Sequence, residues 1–228
     1  MYSFANETED YRAKRQALLE AEMALRDQRE TVAALRRDLP AGPVVEDYRF
    51  LEGPRSLAAG DAPIEERRLS ELFEQPDKPL ILVHFMFGKA QTAPCPMCTM
   101  MADSYQGIAR HLEQSANFAA VIAGDVAAFR AFARSRGWHD LRIVSAGESS
   151  IKRDSGVESD EGGQLPAISI FTRDADGTVR HFYSGGALMA EGEYRGLDLT
   201  SPVWHFLDLL PGGRGDWLPS LDYERTPS

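Results

Sequence analysis

Apolar positions in this chain fall into one long heptad-like stripe followed by a series of short dense runs, and the two textures predict different elements. Within residues 8–38 and just beyond, Tyr11, Leu18, Leu25, Val32 and Leu39 recur every seven positions, with Ala21 and Leu35 three residues after two of them. That period predicts one long helix with a narrow apolar seam, which Pro40 and Pro43 bring to an end. A narrow seam on a charged helix suits packing on the body of its own chain or against a second copy, so a homodimer formed through this helix is one expectation.

After residue 43 the runs become short. "VVEDYRFL" predicts an edge strand, and "PIEERRLSELFEQPDKP" a short helix with Leu69, Leu72 and Phe73 on one side. "LILVHFMF", residues 80–87, is almost wholly apolar and predicts a central strand buried on both faces. "FAAVIAG" and "LRIVSA" predict two more strands. A helix ending near Gln114 and another over 125–138, capped by Asp125, separate them. Residues 146–164 are polar and read as a surface excursion. "LPAISIFTRDADGTVRHFYSGG" predicts a hairpin turning at residues 174–177, a turn rather than a calcium loop. "TSPVWHFLDLLPGG" predicts a closing helix with Ser201 as cap, Pro202 in the first turn and Gly212 after its end. Alternating strands and helices with a terminal hairpin predict an α/β fold, a mixed central sheet flanked by helices. The expected organisation is a helical arm over 1–43 and one domain over 44–228.

Composition narrows the partners. A formal net charge of −10 would repel nucleic acid and anionic membranes alike, so neither is an expected partner. No apolar run approaches the roughly 20 residues of a membrane span, and the first residues lack the apolar core of a secretory signal. The expected compartment is the cytoplasm, where paired thiols seldom serve as structural staples.

That expectation bears on the only two cysteines of the 228-residue chain, which stand together in Cys95-Pro96-Met97-Cys98. The pair falls where the strand over 80–87 passes into a helix. Residues three apart share a helix face, so the sulfurs can approach bonding distance. Pro96 at the first helical position costs nothing, because its missing N–H would have had no partner there. Free amides and the positive end of the helix favour a thiolate on Cys95, the expected nucleophile, with Cys98 as the resolving thiol. Zinc needs about four ligands, and the five histidines, at 84, 111, 139, 181 and 205, show no ligand spacing; neither metal nor cofactor is expected. The substrate would be a protein or small-molecule disulfide, or a peroxide. His84 inside the apolar strand could shuttle protons below the pair or simply hydrogen bond in the core. Met97, Met100 and Met101 fit helix packing, and the Arg-Gly-Asp tripeptide at 214–216 fits a turn.

Four segments together resemble a known family: "VHFMFGKAQTAPCPMCTMMADSY", "LPAISIFTRDADGTVRHFYS", "YRGLDLTSPVWHFLDLLPGGRGDW" and the N-terminal "YRAKRQALLEAEMALRDQRETVAALRRDLP". They resemble the bacterial thioredoxin-like proteins grouped as "domain of unknown function 899". The resemblance implies a thioredoxin- or peroxiredoxin-like fold and dithiol oxidoreductase activity, and leaves the substrate open. Pro166 then stands where thioredoxin-type folds hold a cis-proline facing the disulfide, and is expected to shape the substrate groove. Pro94 replaces the tryptophan that precedes the first cysteine of familiar thioredoxins. Peroxiredoxins resemble P-x₃-T-x₂-C: Thr92 and Cys95 match its second half, and Gly88 stands in place of the proline. For the arginine of such a site the candidates are Arg142 and Arg173.

Overall fold

The structure is a computed structural model that describes residues 4–189 and 195–223. The chain divides after Ala41 into two compact units. The first holds α1 (Glu9–Arg37), capped where the Thr8 hydroxyl accepts the Tyr11 N–H at 3.2 Å. Acids in its first turn and Arg36 and Arg37 in its last oppose the helix dipole favourably. No residue of α1 is buried, and Tyr11, Leu18, Leu25 and Leu35 on it are exposed.

The second unit is built on a sheet of seven strands: β1 (Arg49–Glu52), β2 (Glu65–Arg68), β3 (Leu80–His84), β4 (Asn117–Ile122), β5 (Ile143–Ser145), β6 (Ala167–Arg173) and β7 (Val179–Gly186). Their order across the sheet is β2-β1-β5-β4-β3-β6-β7. Helices α2 (Pro96–Leu112), α3 (Val126–Arg136), α4 (Ile151–Asp154) and α5 (Pro202–Leu207) connect or follow them. β3, β4 and β5 run parallel through helical crossovers, while β6 lies antiparallel on β3 and pairs with β7 as a hairpin. A parallel β-α-β unit extended by an antiparallel hairpin, in the order β4-β3-β6-β7, is the thioredoxin-like core expected from the sequence.

β3 is central because its alternate side chains serve both faces. Leu80 and Leu82 enter a core with Phe50, Leu69, Val121 and Phe171, while Ile81 and Val83 enter another with Phe85, Met101, Phe129 and Trp138. Burial on two sides explains why its sequence shows no polar alternation. At the turn between β6 and β7, Gly177 takes φ 91°, a conformation glycine adopts without a side-chain penalty, and Asp174 bonds to Thr178 across the turn.

Several expectations are corrected. β1 is interior, between β2 and β5; the edge strand is β2. The helix expected over residues 63–79 is replaced by β2 and a 3₁₀ turn at Leu69–Leu72. Glu and Arg favour helix in isolation, but pairing along β1 supplies hydrogen bonds, and the turn buries Leu69 and Leu72. Residues 146–164 are not all on the surface: α4 carries Ile151 and Lys152 into the interior. Ser201 precedes Pro202 as expected, but its hydroxyl makes no cap bond to α5. Asp125 does cap α3, accepting the Ala128 N–H at 2.6 Å.

Candidate functional site at the start of α2

Both cysteines are free thiols at the first turn of α2, which begins close after the end of β3. Cys95 is the residue before the helix, with extended backbone (φ −65°, ψ 126°), and Pro96 opens the first turn. The turn is fastened from inside: the Thr99 N–H and hydroxyl both donate to the Cys95 carbonyl at 2.9 Å. The helix therefore fixes the backbone of Cys95 while its sulfur stays half-buried, and Cys98 is buried one turn in.

The two sulfurs interact. The Cys98 thiol donates a hydrogen bond to the Cys95 sulfur, and the amides of Cys98 and Met97 add theirs, so the Cys95 thiol is lowered to about 6 against the opposing effect of burial. Cys98 moves the other way: its bond to Cys95, its burial and the Cys95 charge raise it well above the ordinary thiol value. The Met86 amide and the charge of Lys152 work against that rise. The result is one ionised sulfur at neutral pH beside a protonated one, the distribution a nucleophile and a resolving thiol require.

Beneath Cys98 is a small cavity of about 20 Å³, room for about one water, which His84, Tyr105, Pro166 and Leu197 help to line. His84 is buried at the end of β3, its Nε2 2.9 Å from the Ser169 hydroxyl. That hydroxyl lies 2.7 Å from Ser184 Oγ, which lies 2.8 Å from His181 Nε2, so a chain of polar groups leads outward across β6 and β7. Burial first, then the Lys152 and His181 charges, push His84 down to about 3, leaving the ring neutral. Its Nδ1 has no partner among the described residues.

The structure thus brings Cys95, Cys98, His84 and Pro166 into one neighbourhood. Among the described residues the cis peptide bond is Ala62–Pro63, so Leu165–Pro166 is trans: of the two isomers that the sequence leaves open at Pro166, the structure holds the ordinary one and not the cis form of thioredoxin-type folds. The Pro166 carbonyl accepts the Ala187 N–H at 3.2 Å, which ties this segment to the chain leaving β7. Thr92 is exposed and is not among the groups bonded to Cys95. Neither arginine candidate meets the thiols. Arg142 holds the Glu52 carboxylate, and Arg173 ends β6 at the opposite extreme from Ala167, the partner of His84.

One residue of the site went unforeseen. Lys152 is fully buried, and its Nζ donates to the Phe85 carbonyl at 3.2 Å. It stands in the polar stretch "AGESSIKRDSGVESDEGGQ", where only the neighbouring Ile151 signals an inward-facing turn. Among the described residues no group of three or more His, Cys, Asp and Glu is placed to hold a metal ion, and no helix is long and apolar enough to cross a membrane.

A family model described as "Bacterial protein of unknown function (DUF899)" matches residues 2–225. No curated protein matches the sequence. Among solved structures, the chain is similar to reduced Prx3 in complex with H₂O₂ from Vibrio vulnificus, at 15% identity over 63% of this chain and 87% of that one, TM-score 0.44. It is also similar to peroxidoxin BcpB from Mycobacterium tuberculosis, at 20% identity over 71% and 94% of the two chains, TM-score 0.43. The exposed lipoprotein thioredoxin Etrx1 from Streptococcus pneumoniae shares 14% identity over 67% and 96%, TM-score 0.42.

Proposed function

The chain belongs to the bacterial DUF899 family, and from the geometry of its dithiol we propose that it is a thiol–disulfide oxidoreductase. The observation that carries this reading is the free dithiol at the mouth of α2, with Cys95 half-buried just before the helix and Cys98 buried in its first turn. The Cys95 thiolate attacks one sulfur of a substrate disulfide, the substrate S–S bond breaks, and the far sulfur leaves as a thiolate. Cys98 then attacks Cys95, forming the Cys95–Cys98 disulfide and releasing the second substrate sulfur, with the Cys98 proton ending on that sulfur. Two equivalents of an external thiol, or one external dithiol, restore the Cys95–Cys98 dithiol and leave as a disulfide. Pro166, beside the cavity under Cys98, would border the substrate.

A Cys98→Ser variant incubated with a disulfide-bonded protein should accumulate a mixed disulfide at Cys95, seen as an added mass that reductant removes. No adduct at any pH between about 6 and 9, the range over which the thiolate forms, would refute the reading.

Peroxide reduction draws less support, because Thr92 faces solvent and Arg142 is committed to Glu52. It predicts sulfenate at Cys95 followed by closure onto Cys98. Reaction with hydrogen peroxide no faster than that of a free thiol would remove it. A redox sensor or thiol-bearing scaffold is the remaining alternative, favoured if the pair cycles but turns over no disulfide. For α1 we propose pairing with a second copy along the exposed seam of Leu18 and Leu25, a cytoplasmic homodimer being the corresponding assembly.

A further inference from the structure

The peptide group that joins Phe85 to Met86 is engaged at both ends. Its carbonyl accepts from Lys152 Nζ at 3.2 Å, and also from the Phe87 N–H at 3.0 Å. Phe85 and Cys98 line the same small cavity, and the N–H of this group, on Met86, favours the ionised Cys98 sulfur. We propose that Lys152 is a positioning residue for the second half of the exchange: through this peptide group it stabilises the anionic Cys98 sulfur that displaces substrate. The inference rests on the thiol–disulfide reading above and adds a residue and a step to it.

A cation bonded to a carbonyl polarises the peptide and makes its N–H a stronger donor, and the effect is large where water is excluded. Lys152 and Cys98 are both buried, so the field between them is weakly screened. In the dithiol state the bond to Cys95, burial and the Cys95 charge hold Cys98 protonated. Once Cys95 is tied up in a mixed disulfide, its charge is gone and so is the thiolate that held the Cys98 proton. Burial then stands alone against the Met86 amide and Lys152. Lys152 therefore acts when Cys98 must ionise and has little to act on before.

Other charged and titratable groups are accounted for. Facing Lys152 are Glu158, which supports its charge, Cys98 from α2 and His84 from β3; Tyr105 of α2 faces Cys98, and His181 of β7 faces His84 from beyond. His84 is neutral and Tyr105 is pushed far up by burial, so neither supplies a competing charge near pH 7. Burial brings Lys152 down to about 8, which leaves it mostly protonated there.

In resolution the Cys98 S–H gives up its proton to solvent, its sulfur bonds to Cys95, the bond from Cys95 to the substrate sulfur breaks, and the departing thiolate carries the electron pair. Dithiobis-nitrobenzoate reads the two halves separately, since attack by Cys95 frees one coloured nitrobenzoate thiolate and resolution by Cys98 frees the second. Its leaving group is ionised throughout, so the second phase reports Cys98 alone.

In the full-length Lys152→Met protein the first release should keep the wild-type rate. The second should slow about tenfold at neutral pH, with its pH midpoint raised by about one pH unit. Lys152→Arg should recover much of the loss, which a packing role would not predict. Should Lys152→Met misfold by circular dichroism, Lys152→Gln serves with the same expectations. A natively folded uncharged variant with an unchanged second phase overturns the proposal. Absence of the first phase in the wild type instead refutes the exchange reading itself, and this proposal falls with it.

Discussion

Cys95 stands just before α2 and Cys98 in its first turn, and the interaction between them is the largest of the influences that drive the two thiols in opposite directions, Cys95 down to about 6 and Cys98 well up. Each cysteine is thereby part of the other's environment. A variant at one position is also a measurement on its neighbour.

Cys98→Ala should raise the Cys95 thiol, because the largest favourable influence on its thiolate is removed while burial remains. The pH dependence of alkylation by iodoacetamide should move its midpoint from about 6 toward the ordinary thiol value. A midpoint left in place would mean that the helix amides alone hold the thiolate.

Stability of the reduced protein should depend on pH through Cys95. A folded-state value below the unfolded one contributes stability that is fully present above the ordinary thiol value and is lost as pH falls through about 6. Urea unfolding under reductant, compared between wild type and Cys95→Ser, should show a difference that grows from pH 6 toward 9. Above that range the raised Cys98 works against further gain. Taking the difference cancels the contribution of Lys152, which titrates nearby.

Arg142 and Glu52 join through two hydrogen bonds, at 2.7 and 2.9 Å, and both side chains are buried. Arg142→Met leaves a carboxylate buried without its main partner and should cost about 3–5 kcal/mol in denaturant unfolding. Replacing Glu52 and Arg142 together with apolar residues should cost much less. Loss of only a few tenths in the single variant would show that Arg67, 3.6 Å from Glu52, takes over the pairing.

Asp125→Ala should cost about 1 kcal/mol by removing the cap of α3, and Asp125→Asn much less. Thiol reactivity should not follow the change, which separates a cap from a proton acceptor for the dithiol.

Along α1, Leu18→Glu combined with Leu25→Glu should convert a dimer to a monomer in sedimentation at fixed concentration, without altering thiol exchange. A wild-type chain that is monomeric at high micromolar concentration would end the pairing proposal.

The readable parts of the sequence were those in which one residue type has one physical use. An apolar run such as residues 80–87 has to be buried on both sides, and its first five residues became β3, Leu80–His84. Two cysteines three apart before a helical stretch marked a helix start, and Cys95 stands just before α2 with Cys98 in its first turn. Misreadings arose where neighbours in space decide. Glu65, Glu66, Arg67 and Arg68 are good helix residues, yet β1 draws them into a strand. Lys152 looked like one more solvated charge, because nothing local marks a lysine that is buried with its Nζ on the distant Phe85 carbonyl. The Pro166 bond is likewise settled by the surrounding fold, and a lone proline in a sequence carries either isomer.

The two borders of the sheet have a bearing on how the protein behaves in a crowded solution. On one side β2 offers Glu65, Glu66, Arg67 and Arg68, four ionised side chains in a row of four residues. On the other, residues 43–45 run along β7, with the His181 N–H bonded to the Pro43 carbonyl and the Val45 N–H to the Val179 carbonyl. An incoming strand from a stranger would have to strip water from charges at the first border or peel away a tethered segment at the second. Both borders thus resist the addition of a foreign strand, so the half-buried Cys95 sulfur is not accompanied there by an open template for fibril-like stacking.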